Sequence, residues 1–194
     1  LDLYSRKIIE SGAIPFGICL NNGNLDYRSL EICDAFLIPG GNRVHRCYYE
    51  VIKYAIKKNK PLLGICLGLE SLAIFSIVQE HLRMDANIND FIRRYNILKL
   101  KNFGSLLSKI KSPNIHGDVT VNYDNIDYAR HNIVIDVNSL LYTIYEKEEM
   151  SVVSLHSYCP KWIGPGFNIT AKASDGVVEA IEYDSKEHFI LGVH

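Results

Sequence analysis

One segment, Pro61-Leu-Leu-Gly-Ile-Cys-Leu-Gly-Leu-Glu70, constrains this chain more than any other. Leu62-Leu63-Gly64-Ile65 is a short continuous apolar run, the pattern of a strand buried on both faces. Apolar residues at helical spacing follow from Leu67 to about Val78. The passage from strand to helix is thus compressed into Cys66. So sharp a turn leaves little room for side chains two positions either side of it, which accounts for Gly64 and Gly68 and exposes the sulfur above a sheet.

The flanking sequence repeats the theme. Ala35-Phe36-Leu37-Ile38 is a second apolar run, and it empties into Pro39-Gly40-Gly41. Helical spacing follows over about Tyr48 to Asn59, with Val51, Ile52, Ala55 and Ile56 on one face and Lys57, Lys58 and Lys60 near the end, where they suit the helix dipole. Helix and strand alternating at this pace predict an α/β fold, a doubly wound, mostly parallel sheet with right-handed crossovers and helices on both faces. Upstream, a short helix is predicted from Asp2 to a left-handed cap at Gly12, then a strand over Ala13 to Cys19 and a turn at Asn22-Gly23. The stretch from Gln79 to Ser112 reads as helical and partly exposed. Beyond it strands are predicted at Gly117 to Asn122, Asn132 to Val137, Val152 to Tyr158, Phe167 to Ala173, Val177 to Tyr183 and His188 to His194, with Glu146-Lys147-Glu148-Glu149 as a solvated turn.

Composition narrows the function. The 194 residues suit one α/β domain, and 47% hydrophobic with 22% charged residues is ordinary globular usage. A net charge of -1 gives no general attraction for nucleic acid or anionic lipid. The absence of a run of about 18 apolar residues and of a basic-then-apolar start predicts neither a membrane span nor a signal peptide. Five cysteines without a CxxC pair predict a reduced, cytoplasmic setting and no metal site or cofactor. Cys19, Cys33 and Cys47 read as buried structural thiols, and His156 with Cys159 is a His-x-x-Cys pair with no second pair to complete a site. His45 and Arg46 read as a solvated loop.

A thiol in Gly-x-Cys-x-Gly at a strand-to-helix turn has the form of a nucleophile elbow. The helix N-terminus is expected to lower the Cys66 pKa. The N–H of Leu67, with one from the Gly40-Gly41 loop, could hold a developing oxyanion.

Five blocks, Leu37-Ile-Pro-Gly-Gly41, Gly64-Ile-Cys-Leu-Gly68, Val153-Ser-Leu-His156, Val178-Glu-Ala-Ile-Glu182 and Leu191-Gly-Val-His194, resemble successive blocks of the class I glutamine amidotransferase domain. Ser-Leu-His followed by the Glu-Ala strand is most similar to the branch holding γ-glutamyl-γ-aminobutyrate hydrolase and γ-glutamyl hydrolase. The resemblance implies a cysteine hydrolase cleaving γ-glutamyl amides through a thioester on Cys66, with Gly41 and Leu67 as oxyanion donors and Glu70 and His156 near the glutamyl group. Glutamine or another small γ-glutamyl amide is the implied partner, nucleic acid and membrane are not, and a homo-oligomer is allowed.

The sequence also departs from the family pattern. Glu70 stands where the family usually has Gln, and Ser154-Leu-His156-Ser157-Tyr158 replaces Ser-x-His-His-Gln. The family's catalytic His and Glu follow two positions beyond the one His194 occupies, so His194 aligns with a Gln rather than with the base. Residues 1–194 are therefore expected to be a single domain lacking its first strand and its His-Pro-Glu block. Two other readings follow: an impaired or truncated relative that keeps the fold and ligand binding, and a glutaminase subunit of a synthase.

Overall fold

The computed structural model describes residues 2–18, 20–21, 24–83, 106–111, 116 and 130–194. In chain order the elements are α1 (Asp2–Glu10), β1 (Leu20–Asn21), β2 (Asn24–Leu25), α2 (Tyr27–Glu31), β3 (Phe36–Ile38), α3 (Arg46–Lys58), β4 (Leu62–Ile65), α4 (Leu67–Arg83), β5 (Leu107–Lys109), β6 (Arg130–Ile135), α5 (Leu140–Tyr145), β7 (Glu149–Val153), β8 (Tyr158–Pro160), β9 (Phe167–Ala173), β10 (Val178–Tyr183) and β11 (Ile190–Val193). No helix among the described residues is long and apolar enough to cross a membrane.

Local chemistry explains the helix ends. Gly12 adopts φ 84, and the N–H groups of Gly12 and Ala13 donate to Ile9 O and Ile8 O, closing α1 as the glycine predicts. Asn59 takes the same left-handed role for α3. Asp26 and Ser139 accept backbone N–H bonds at the starts of α2 and α5, two short helices that apolar periodicity did not reveal.

Seven strands form the central sheet in the order β3-β4-β11-β10-β9-β6-β7. β3, β4 and β11 are parallel, with Leu37 beside Leu63 and Leu63 beside Leu191. β10, β9, β6 and β7 then join by antiparallel pairing. The doubly wound α/β architecture is present, and its parallel strands are the three that lead to the candidate site. Apolar side chains cover both faces, which is why these strands read as continuous runs. Leu62, Ile181 and Ile190 pack with Leu69 and Leu72 of α4 and Ile52 and Ala55 of α3. Leu63, Ala180, Leu191 and Val193 pack with Ile133, Ile135 and Leu141. Each fully buried Leu or Ile contributes about 1.5–3 kcal/mol.

Several strand boundaries differ from expectation. Residues 13–18 are irregular where a strand was predicted, and Cys19 lies outside the described residues. The run from Val152 to Tyr158 is not one strand: β7 stops at Val153, and Tyr158 opens β8, which pairs with β5 in a separate two-stranded sheet. Of the stretch from Gln79 to Ser112, α4 takes the beginning, Leu107–Lys109 is a strand rather than a helix, and 84–105 lie outside the described residues, as does the strand predicted at Gly117 to Asn122. Within the charged run, Glu146 is the left-handed cap of α5 and Glu149 begins β7.

Candidate active site

β4 hands the chain to α4 through Cys66, which adopts φ 53, a left-handed conformation that costs a non-glycine residue on the order of 1–3 kcal/mol. Two backbone bonds hold it there: Cys66 N–H donates to Val193 O of β11 at 2.7 Å, and Cys66 O accepts the Glu70 N–H at 3.1 Å. The flanking glycines are sterically required. A Cβ on Gly64 would lie 2.7 Å from the carbonyl carbon of Gly68, and one on Gly68 would lie 2.4 Å from Ile38 O of β3. The elbow inferred from the spacing is therefore the conformation the chain adopts.

The Cys66 sulfur accepts from the backbone N–H groups of Leu67 and Gly41, so the two expected oxyanion donors meet at the thiol. Gly40 N–H is turned to α1, where it donates to the Tyr4 hydroxyl at 3.0 Å. Tyr4 thus braces the glycine loop, a role its place in a short amphipathic helix did not disclose.

The expected lowering of the thiol pKa is not found. Burial pushes the Cys66 thiol up, the Glu70 carboxyl pushes it further in the same direction, and the two N–H groups only partly offset this. Loss of water around a thiolate here outweighs the helix N-terminus. Glu70 lies one turn into α4, 3% exposed, and burial raises its carboxyl to about 8. The remaining cysteines of the described residues, Cys33, Cys47 and Cys159, are free and half-buried.

His156 is 6% exposed. It is buried among other histidines: its Nε2 lies 3.2 Å from His116 Nδ1 and 3.5 Å from Glu179 Oε1, and its Nδ1–H donates to Tyr158 O at 2.9 Å. The His194 ring lies against it, centroids 3.9 Å apart, and burial drives the His194 pKa well down. His116, His131 and Glu179 offer ligand atoms within 4.8 Å of one another, the arrangement that could hold a cation. The sequence expectation of no metal ligands rested on short spacings, and these residues are far apart in the chain. One signal did exist for His131. β6 alternates exposed and buried, and His131 occupies the inward position shared by Ile133 and Ile135.

The two glutamates of Val178-Glu-Ala-Ile-Glu182 do different things. Glu182 accepts the N–H groups of Leu140 and Leu141 at 2.8 and 2.9 Å, capping α5. Glu179 is 3% exposed, and neither of its carboxylate oxygens has a hydrogen-bond partner among the described residues.

Known proteins share this arrangement of elements. A glutamine amidotransferase of Thermotoga maritima superimposes with TM-score 0.59 at 14% identity, over 98% of this chain and 67% of that one, a likeness of fold. A glutamine amidotransferase-like protein of Rickettsia prowazekii is 27% identical over 227 residues, spanning 98% of this chain and 79% of its own length. The CTP synthase of Thermosipho africanus is 25% identical over 169 residues, 83% of this chain but only 31% of the synthase. A model of the Peptidase C26 family matches residues 45–194, from the end of the glycine loop through the elbow to the last strand, and the chain belongs to that class I glutamine amidotransferase-like family.

Proposed function

We propose that this chain is the core of a cysteine hydrolase of γ-glutamyl amides, of the γ-glutamyl hydrolase and γ-glutamyl-γ-aminobutyrate hydrolase type, with Cys66 as nucleophile. The observation that carries the proposal is the meeting of the Leu67 and Gly41 N–H groups at the Cys66 sulfur, on a strained turn. A carbonyl carbon attacked by that sulfur would place its oxygen within reach of the same two donors. The amine then departs with a proton, leaving a γ-glutamyl thioester that water hydrolyses.

Glu70 fits this reading. With its carboxyl raised to about 8, it is largely protonated at neutral pH and offers an O–H donor where the family's Gln offers an amide. His156, held in the buried histidine cluster, would act on the glutamyl group only through its neighbours. The family pattern puts the general base two residues past the His194 position, so the test pairs an activity assay with the C-terminal sequence of the protein from its native source. Glutamate release from glutamine and a panel of γ-glutamyl amides is expected to fall at least about 10⁴-fold in Cys66→Ala. Equal release by both proteins, or none from any γ-glutamyl amide, would overturn the assignment.

The resemblance to CTP synthase supports a second reading, in which the domain feeds ammonia from glutamine to a synthase partner. Glutaminase activity appearing only with that partner would favour it.

A further inference from the structure

We infer that His116, His131, His156 and Glu179 form a four-ligand site for a borderline divalent transition-metal cation, zinc foremost, at the end of the sheet beside the elbow. The side chains are 0%, 5%, 2% and 2% exposed, respectively. His131 comes from β6, Glu179 from β10 and His156 from the segment after β7.

The separations around Glu179 and His116 approach the edges of a tetrahedral ligand shell, and the His131 ligand atom lies within 4.8 Å of those of His116 and Glu179. His116 Nδ1 lies 3.2 Å from His156 Nε2 and 3.3 Å from Glu179 Oε1, while Glu179 Oε1 lies 3.5 Å from His156 Nε2 and 3.6 Å from His131 Nε2. Zinc bonds of about 2.0–2.2 Å at tetrahedral angles put neighbouring ligand atoms about 3.3–3.6 Å apart.

Two of the ring protons are committed outside the cluster. His116 Nε2 lies 3.0 Å from Asp175 Oδ2, and His156 Nδ1 lies 2.9 Å from Tyr158 O. Both partners only accept, so these two nitrogens carry the protons, and in neutral rings the lone pairs of His116 Nδ1 and His156 Nε2 point into the cluster. They meet there the Glu179 carboxylate, which is also an acceptor. Among the described residues, the hydroxyl that reaches His116 is Ser154 Oγ, 3.3 Å from His116 Nδ1 and 3.4 Å from His116 O, and its one proton cannot serve all three acceptors. Both oxygens of Glu179 lack hydrogen-bond partners among the described residues. A buried carboxylate and three imidazoles thus converge with more acceptors than donors among the described residues, and a cation between them would offset that deficit. The bonds from His116 to Asp175 and from His156 to a backbone carbonyl are the outer-shell partners that orient metal-bound histidines.

Four protein ligands close the shell, so the cation is structural rather than catalytic. It would tie β6 to β10, whose Glu179 carbonyl accepts the His194 N–H at 2.9 Å, and so brace the strand ends next to Cys66.

The test is made on the intact chain and needs no substrate. After chelator treatment and exchange into metal-free buffer, zinc added back is expected to bind at one per chain, and cobalt(II) in its place to give the visible bands of a tetrahedral site. Glu179→Gln, close to isosteric, and His131→Ala are expected to lose the cobalt bands, and Asp175→Asn to weaken zinc about 10- to 100-fold. Nitrogen-15 spectra of the wild-type histidines give a readout independent of any variant's folding, since zinc must shift His116 Nδ1 and His156 Nε2. A folded wild-type chain that binds neither metal, or spectra showing an imidazolium at this cluster that zinc leaves unchanged, would overturn the inference. So would binding unaltered in both ligand variants.

Discussion

Replacing Gly68 by alanine adds one methyl group where the chain has no room for it. The new Cβ would sit 2.4 Å from Ile38 O and 3.3 Å from both the carbonyl carbon and Cβ of Ile38. The obstruction is the backbone of a buried strand, so relief requires moving α4 away from β3. Overpacking of this kind costs about 1–3 kcal/mol, and a backbone obstruction places it at the upper end. Alanine in a helix regains up to about 1 kcal/mol over glycine, leaving a net loss of about 2 kcal/mol. For a chain of this length that lowers the melting temperature by about 4–8 °C. Calorimetry or far-UV circular dichroism reads the shift, with Gly17→Ala as control because a Cβ there meets nothing within 4 Å. Turnover should fall with stability, since the helix start carries Leu67 N–H. A Gly68→Ala protein that melts with the wild type and keeps its thiol reactivity would refute the claim that close packing forms the elbow.

Four further outcomes are expected. Glu70→Gln removes a charge that raises the Cys66 pKa, so alkylation of Cys66 by iodoacetamide should accelerate and its pH profile move to lower pH. The same variant should hold its stability better at alkaline pH. Glu70 goes from 4.5 to about 8 on folding, so the folded state binds the extra proton between those values, and wild-type stability falls as pH rises through them by on the order of 3–5 kcal/mol in urea melts. Burial holds His131 and His194 below their ordinary value, so the unfolded chain takes up protons first, and in chelator-containing buffer stability should decline as pH drops below about 6.5. Glu182→Ala removes the acceptor for two N–H groups of α5 and should cost about 1–2 kcal/mol in a denaturant melt without changing thiol reactivity.

Local sequence was enough to locate the elbow. Gly64 and Gly68 mark positions where a backbone atom must come within 3 Å of a missing Cβ, and that requirement shows as a two-residue spacing around Cys66. The apolar runs of β3 and β4 and the amphipathic face of α3 were legible for the same reason, since each is set by neighbours in the chain. Strand direction was not: β10 and β11 follow one another in the chain with nothing local to set their sense, yet β11 runs parallel to β4 and β10 antiparallel to β11.

The sequence by itself determined that strand meets helix at Cys66, that Leu67 follows it as a donor, and that a glycine loop stands ready after β3. Only the tertiary structure decided the state of those groups. Cys66 was expected to ionise easily because a helix begins there, but the packed core removes water from the sulfur and sets Glu70 nearby, so desolvation prevails. His156, expected near the glutamyl group, lies with His116 and His131 around Glu179, each within 4 Å of its Oε1, gathered by pairing of β6, β9 and β10 and by the loop after β7. Contacts between distant segments leave no fixed spacing in the chain, and burial, which sets both pKa and ligand geometry, exists only once those segments have packed.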